Sequence, residues 1–347
     1  MKDGILILNK SQGWTSSDCV AICKRAFRVS GVKKVGHGGT LDPMATGLLP
    51  IFVGQAARIM EYLDLDYKTY ICTAKLGITS DTQDIWGELK EVMPLGDLRK
   101  SGIITRESIK SNLADFAGNI EQIPPKYSAV RINGKRLYEY AYNGEKIDVE
   151  IKPRKVHIKE IELLFADMKK LEFSFRVTCS KGTYIRTICN DLGDKLGCGC
   201  VMSALERVKV GNIELSDDVI CVEEIKRLTT GAGQDKDLQN HVAEMLEALL
   251  LPADYPLEHF GSASLSADRA MYFSRGNAIR LNQVSIEKEP DIPGNYLTGE
   301  VPCNARGRRY DLIYKIYERD TRQFLGTGFL DNRNKEMKAD KVFVPKR

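Results

Sequence analysis

Residues 36–47 read Gly-His-Gly-Gly-Thr-Leu-Asp-Pro-Met-Ala-Thr-Gly and run directly into the apolar stretch Leu48-Leu49-Pro50-Ile51-Phe52-Val53. Glycines this dense suit backbone that turns sharply or comes close to a ligand. Asp42 precedes Pro43, which biases it away from helix toward an extended conformation. The stretch therefore predicts a loop anchored by a buried strand, with one carboxylate projecting from it. Catalytic groups commonly sit on such loops, and ordinary Asp-Pro turn chemistry gives the same letters. Standard nucleotide motifs do not fit. Leu41 stands where G-x-G-x-x-G needs its third glycine, and no Gly-Lys-Ser/Thr follows.

The flanking chain gives the loop a context. Residues 4–9 read as a first strand, bounded by Gly4 and by Lys10-Ser11-Gln12-Gly13. Ser16 or Ser17 can cap a helix over 18–27, with Val20 and Ala21 or Cys23 on one face. From Lys24 to Lys34 there are five basic residues and no acidic one: Lys24, Arg25, Arg28, Lys33 and Lys34. Such a run is either a solvated charged face or a phosphate contact. Residues 55–63 read as a short helix carrying Arg58, and 68–77 as a strand carrying Tyr70. A polar loop follows over 79–87, and its acidic spacing does not fit a calcium loop.

Residues 96–104 read as a surface loop, and Thr105 caps a helix that runs to residue 116. Asn133-Gly134 is a tight-turn signal, followed by a helix over 135–141. Residues 154–166 and 171–179 read as two long antiparallel strands. After Gly182 a helix begins and runs through residue 192. Arg186 near its start is unfavourable to the helix dipole and calls for a carboxylate partner. Further on, 222–228 reads as helix, 229–237 as loop and 242–251 as helix. Pro252 and Asp254-Tyr255-Pro256 mark a domain boundary, giving domains 1–252 and 253–347. The second alternates short strands, such as 311–317 and 324–329, with turns. It carries two basic clusters: Arg306, Arg308 and Arg309, then Arg333, Lys335, Lys338, Lys341, Lys346 and Arg347.

The motif around Asp42 resembles that of the TruB-type tRNA pseudouridine synthases, which carry G-H-x-G-x-L-D-P-x-A-x-G. The resemblance extends to Lys68-Thr69-Tyr70, to Thr82-Gln83-Asp84 within a T-D-T-x-D-x-x-G pattern, and to the string around Tyr127-Ser128-Ala129. It also covers Ser180-Lys181-Gly182-Thr183-Tyr184-Ile185-Arg186 and Leu205-Glu206-Arg207. It implies an α+β pseudouridine-synthase fold: a mixed, mostly antiparallel central sheet flanked by helices, plus a small C-terminal PUA-like β-barrel. Asp42 would be the catalytic residue and Arg186 its charge partner. Tyr70 would stack on the target base, and Tyr184 and Leu205 would line the uracil pocket. His37 would fill or flank the space left in the RNA, and Arg58 would contact substrate. Glu206 stands where an arginine is frequent in the family.

The implied reaction converts the T-loop uridine of tRNA, at position 55, to pseudouridine by an isomerisation that needs no cofactor. The implied partner is the tRNA T-stem-loop, with no guide RNA and no membrane, and the chain is expected to act as a monomer in the cytoplasm. Composition agrees with this class. Net charge is +4, suited to an anionic partner. Nine scattered cysteines do not read as a disulfide framework. Cys198-Gly199-Cys200 has no histidine nearby, so no metal is expected. No run approaches the roughly 20 apolar residues of a membrane span. A catalytically dead RNA-binding protein and a guide-RNA-dependent synthase are the other classes such a chain could belong to.

Overall fold

The computed structural model describes residues 3–65, 67–102, 104–143, 151–295, 297–304 and 306–343. The basic residues Lys346 and Arg347 lie outside them. Its contacts divide the chain into two compact units. One is formed by residues 1–66 with 210–347, and the other by 67–209.

The first unit begins with β1 (Gly4–Lys10), α1 (Ser16–Ala26), β2 (Val35–His37) and β3 (Thr46–Val53). β1 and β3 pair antiparallel along their length, from Gly4 opposite Val53 to Lys10 opposite Gly47. β2 pairs antiparallel with β3, setting His37 opposite Ile51. Seven of the eight β3 residues are buried, as its apolar run predicts. α1 is capped by Thr15, not Ser16 or Ser17: Thr15 accepts from the Asp18 amide and Asp18 from the Thr15 amide. Ser16 points inward instead, and the buried face is Ser16, Cys19, Cys23 and Ala26, with Ala21 exposed. The expected helix over 55–63 is two 3₁₀ turns, Gly54–Arg58 and Met60–Leu65.

The second unit is a sheet with helices, antiparallel from residues 68–76 through 172–179 and 154–167 to 118–122. Its strands are β4 (Lys68–Leu76), β5 (Gly118–Gln122), β6 (Arg154–Asp167), β7 (Glu172–Cys179) and β8 (Cys200–Val210), in the order β8-β4-β7-β6-β5. Its helices are α2 (Leu95–Ser101), α3 (Arg106–Ala114), α4 (Leu137–Tyr142) and α5 (Ile185–Leu196). α2 occupies part of what reads as a surface loop. It buries only Leu98 and stops at Gly102, whose φ of 63° is left-handed, so its apolar period is too short to see. Asn133 and Gly134, with φ of 53° and 82°, turn the hairpin between Arg131–Ile132 and Lys135–Arg136 as expected.

The first unit is completed by the C-terminal part of the chain. α6 (Val222–Ala232) and α7 (Lys236–Ala248) replace most of the expected loop over 229–237; the Asp235 carboxylate caps α7 by accepting from the Asp237 and Leu238 amides. Then come β9 (Gly261–Leu265), α8 (Ala267–Ser274), β10 (Ile279–Arg280), β11 (Ser285–Lys288), β12 (Ile313–Glu318), β13 (Phe324–Asp331) and β14 (Glu336–Val342). The sheet order is β10-β14-β13-β12-β9-β11, with β9 and β12 parallel. This half-barrel fits the PUA-like domain that the resemblance implies. One core joins both ends of the chain: Ile5, Phe52, Ile59 and Tyr62 are buried with Leu257, Phe260, Tyr310, Ile313 and Phe343.

Candidate functional site

The loop between β2 and β3 is held from three sides within the first unit. The Ser16 hydroxyl accepts from the Leu41 amide at 2.9 Å and donates to the Leu41 carbonyl at 3.0 Å. Pro43 O accepts from the Gly13 amide at 2.9 Å and from Lys10 Nζ at 3.1 Å. The Ala45 amide donates to Asp42 O at 3.0 Å. Gly38 is needed for packing, since a Cβ there would lie 2.8 Å from the Phe52 ring. Gly47, with φ of 95°, is needed for the bend into β3. The backbone on both sides of Asp42 is thus fixed while the residue itself is exposed. A carboxylate on a rigid loop is placed without reorganisation, which is what catalysis at a set distance requires. His37 is half-buried on β2.

The support for this loop reaches α6. The Glu223 carboxylate accepts from the Ser11 hydroxyl at 2.6 Å and from the Trp14 indole at 2.8 Å. Burial pushes the Glu223 carboxyl up, but the bonds from Ser11 and Trp14 overcome it and hold the group below its usual 4.5. Lys226 lies 5.0 Å from the centre of the Trp14 ring.

Arg58 is exposed, and its guanidinium donates to the Val342 carbonyl of β14. Much of the C-terminal positive charge is paired within its own unit. Arg306 and Arg308 face Asp340, Arg309 faces Asp311, Lys338 faces Asp331 and Lys341 faces Glu61. By contrast, Lys24, Arg25, Arg28, Lys33 and Lys34 are all exposed and form no ion pair among the described residues.

The second unit carries the other candidates. Arg186 sits in the first turn of α5 and is 7% exposed. Its Nη1 donates to Thr82 O at 3.1 Å and its Nη2 to Tyr127 O at 3.0 Å. The Asp84 carboxylate lies 3.6 Å from Nη1. These acceptors answer the conflict between a cation and a helix N-terminus. Asp84 lies in the polar loop over 79–87, within the T-D-T-x-D pattern, and the sequence alone marks no partner for it. Tyr184 is half-buried, and the buried Gln122 amide holds both its backbone atoms, N at 2.9 Å and O at 3.2 Å.

Tyr70 is half-buried on β4, opposite Val177 of β7. The period of a strand puts it on the same face as Cys72. Cys72 Sγ is 3.6 Å from Cys189 Sγ on α5. That contact sets the register of helix on strand. Tyr70 is two residues from it along β4, roughly 7 Å. Arg186 is three residues from it along α5, about 4.5 Å. Leu205 is buried on β8, the neighbour of β4, and Arg207 beyond it is fully buried. Among the described residues no group of three or more His, Cys, Asp or Glu could hold a metal ion. No helix among them is long and apolar enough to cross a membrane.

Solved structures share this architecture. The archaeal box H/ACA sRNP Nop10-Cbf5 complex matches with a TM-score of 0.64 at 18% identity, covering 99% of this chain and 86% of that one. A Cbf5-Nop10-Gar1 complex matches with a TM-score of 0.64 at 20% identity, covering 99% and 84%. The fold is that of a pseudouridine synthase. Residues 24–185 match the TruB family pseudouridylate synthase (N terminal domain), and residues 186–258 the tRNA pseudouridylate synthase B C-terminal domain. A tRNA pseudouridine synthase B of Escherichia coli O139:H28 is 38% identical over 285 residues, 82% of this chain and 85% of that protein. One of Citrobacter koseri is 34% identical over 329 residues, 95% and 91%. The chain belongs to the TruB family of pseudouridylate synthases.

Proposed function

We propose that this protein isomerises the T-loop uridine of tRNA, at position 55, to pseudouridine. The C1′–N1 bond breaks, the uracil rotates, and C1′ bonds to C5. The proton on C5 is lost and N1 gains one, so the balance needs no cofactor. Asp42 starts the cleavage as nucleophile or base. Arg186 supports its negative charge, because a guanidinium nearby favours an ionised carboxylate. The target base leaves its stack at a cost of about a few kcal/mol. Tyr70 stacks on it, Tyr184 and Leu205 line its pocket, and His37 occupies the space it leaves. Arg58 contacts the RNA through the guanidinium N–H groups not given to Val342. The exposed basic residues 24–34 neutralise phosphates, and residues 253–347 act as an RNA-binding module.

The observation that carries this reading is the loop around Asp42: backbone fixed on both sides, the residue itself exposed, in a chain of this family. The protein acts alone in the cytoplasm as a monomer, without guide RNA or metal. The test incubates EDTA-treated protein with an isolated T-stem-loop hairpin and scores pseudouridine by selective chemical labelling. Conversion is expected with wild type and lost in Asp42→Asn, with RNA affinity changed by no more than a few-fold. A need for a second RNA or added metal overturns the stand-alone reading. Asp42→Asn activity within about tenfold of wild type removes Asp42 from the chemistry.

A further inference from the structure

Gln83 has a φ of 64°, in the left-handed region that non-glycine residues seldom adopt. Strain of this kind persists only where surrounding contacts hold it, and it gathers at functional sites. Three consecutive residues of this turn grip two consecutive residues of α5. Thr82 O accepts from Arg186 Nη1, and the Asp84 carboxylate faces the same nitrogen. Between them, Gln83 Oε1 accepts from the Thr187 hydroxyl at 3.0 Å, and Thr187 is buried. The turn is tied down on its other side. The Gln83 amide donates to Ser80 O, Gln83 O accepts from the Met202 amide, and Met202 O accepts from the Ile85 amide. Met202 lies on β8, which also carries Leu205.

We propose that Gln83 is a positioning residue for Arg186: its left-handed backbone brings Thr82 O and Asp84 to one guanidinium nitrogen, and its amide locks the turn to Thr187. This deepens the proposed function and rests on the role of Arg186 given there. In a turn without that backbone, the acceptors on either side of Gln83 would not both face Nη1. Four variants separate the parts. Gln83→Val disfavours the left-handed conformation, because a β-branched side chain crowds it. Gln83→Asn tolerates it and keeps an amide, Gln83→Gly keeps the backbone alone, and Thr187→Val removes the hydroxyl.

Single-turnover rates, hairpin affinity and melting temperature are measured for each. Gln83→Val is expected to slow the chemical step about ten- to a hundredfold, the size of loss that small misplacements produce, with affinity held within about twofold. Gln83→Asn recovers most of the rate. Gln83→Gly and Thr187→Val fall between, and they carry the test if Gln83→Val does not fold. Wild-type rates in Gln83→Val or Thr187→Val overturn the inference. So does a loss of rate that only follows melting temperature and is not recovered by Gln83→Asn. Arg186→Lys is the control for the underlying reading. If Arg186→Lys is slow while every Gln83 variant is normal, only the Gln83 inference fails. If Arg186→Lys is itself normal, the assigned role of Arg186 fails.

Discussion

The Ser16 hydroxyl closes on both backbone polar atoms of Leu41, the residue before Asp42, accepting from its N–H and donating to its carbonyl. Both atoms would otherwise be buried without this partner. Ser16→Ala should therefore destabilise the protein by roughly 1–3 kcal/mol, the cost of orphaning buried polar groups. It should also slow turnover more than it weakens RNA binding, because Asp42 loses its anchor. Chemical denaturation and single-turnover kinetics check the two halves.

Removing the carboxylate beside Arg186 leaves a buried cation short of charge. Asp84→Ala is expected to cost about 3–5 kcal/mol, in the range for breaking a buried pair. Asp84→Asn, which keeps the shape and an acceptor, should cost less. Urea melts compare the two, and pseudouridine formation by both should fall below wild type. Equal stability in all three proteins would show that Asp84 does not hold Arg186.

The Glu223 carboxyl titrates below 4.5 in the folded protein. A depressed carboxylate contributes stability at pH above its unfolded value, and that contribution is lost as pH falls through the lower folded value. Trp14, bonded to Glu223, reports the event. The chain has two tryptophans, so Trp86→Phe isolates the signal. Its fluorescence should shift at a midpoint below 4.5, and Glu223→Gln should abolish that shift.

Thiol reactivity should follow burial. Seven of the nine cysteines are buried, Cys221 is intermediate and Cys303 is exposed. Burial pushes the Cys19 thiol up to about 11 and the Cys23 thiol to about 12, so neither offers a thiolate near neutrality. A disulfide reagent should modify one thiol quickly and a second slowly. The other seven should appear only after denaturation.

Replacing Lys24, Arg25, Arg28, Lys33 and Lys34 by alanine should flatten the salt dependence of tRNA binding. Each lost phosphate contact removes about 0.7–0.9 from the slope of log K against log salt. Replacing Arg308 should change the slope less, because its charge already faces Asp340. Binding titrations across salt concentrations decide between the two clusters.

What the sequence disclosed and what it hid follow from range. β3 is legible because seven buried residues stand together, and Thr105 is legible as a cap because its partner Ser108 is three residues away. Ser16 and Ser17 read as caps as readily as Thr15, since the contact that claims Ser16 lies 25 residues downstream. Tyr70 and Arg186 carried a recognisable motif. The atoms that hold Arg186 did not: two are backbone carbonyls, which no letter encodes, and they lie 104 and 59 residues away.

The core that joins Ile5 and Phe52 to Leu257, Phe260 and Phe343 has a consequence for how the chain is made. The first strand leaves the ribosome before any of its distant partners exists. At about 5–20 residues per second, roughly ten seconds to a minute passes before Leu257 is synthesised. During that interval apolar side chains of β1 and β3 have no final cover, while residues 67–209 can already condense. Nascent chains arrested before residue 257 should therefore bind holdase chaperones through their N-terminal strands, and release should coincide with emergence of the C-terminal sheet.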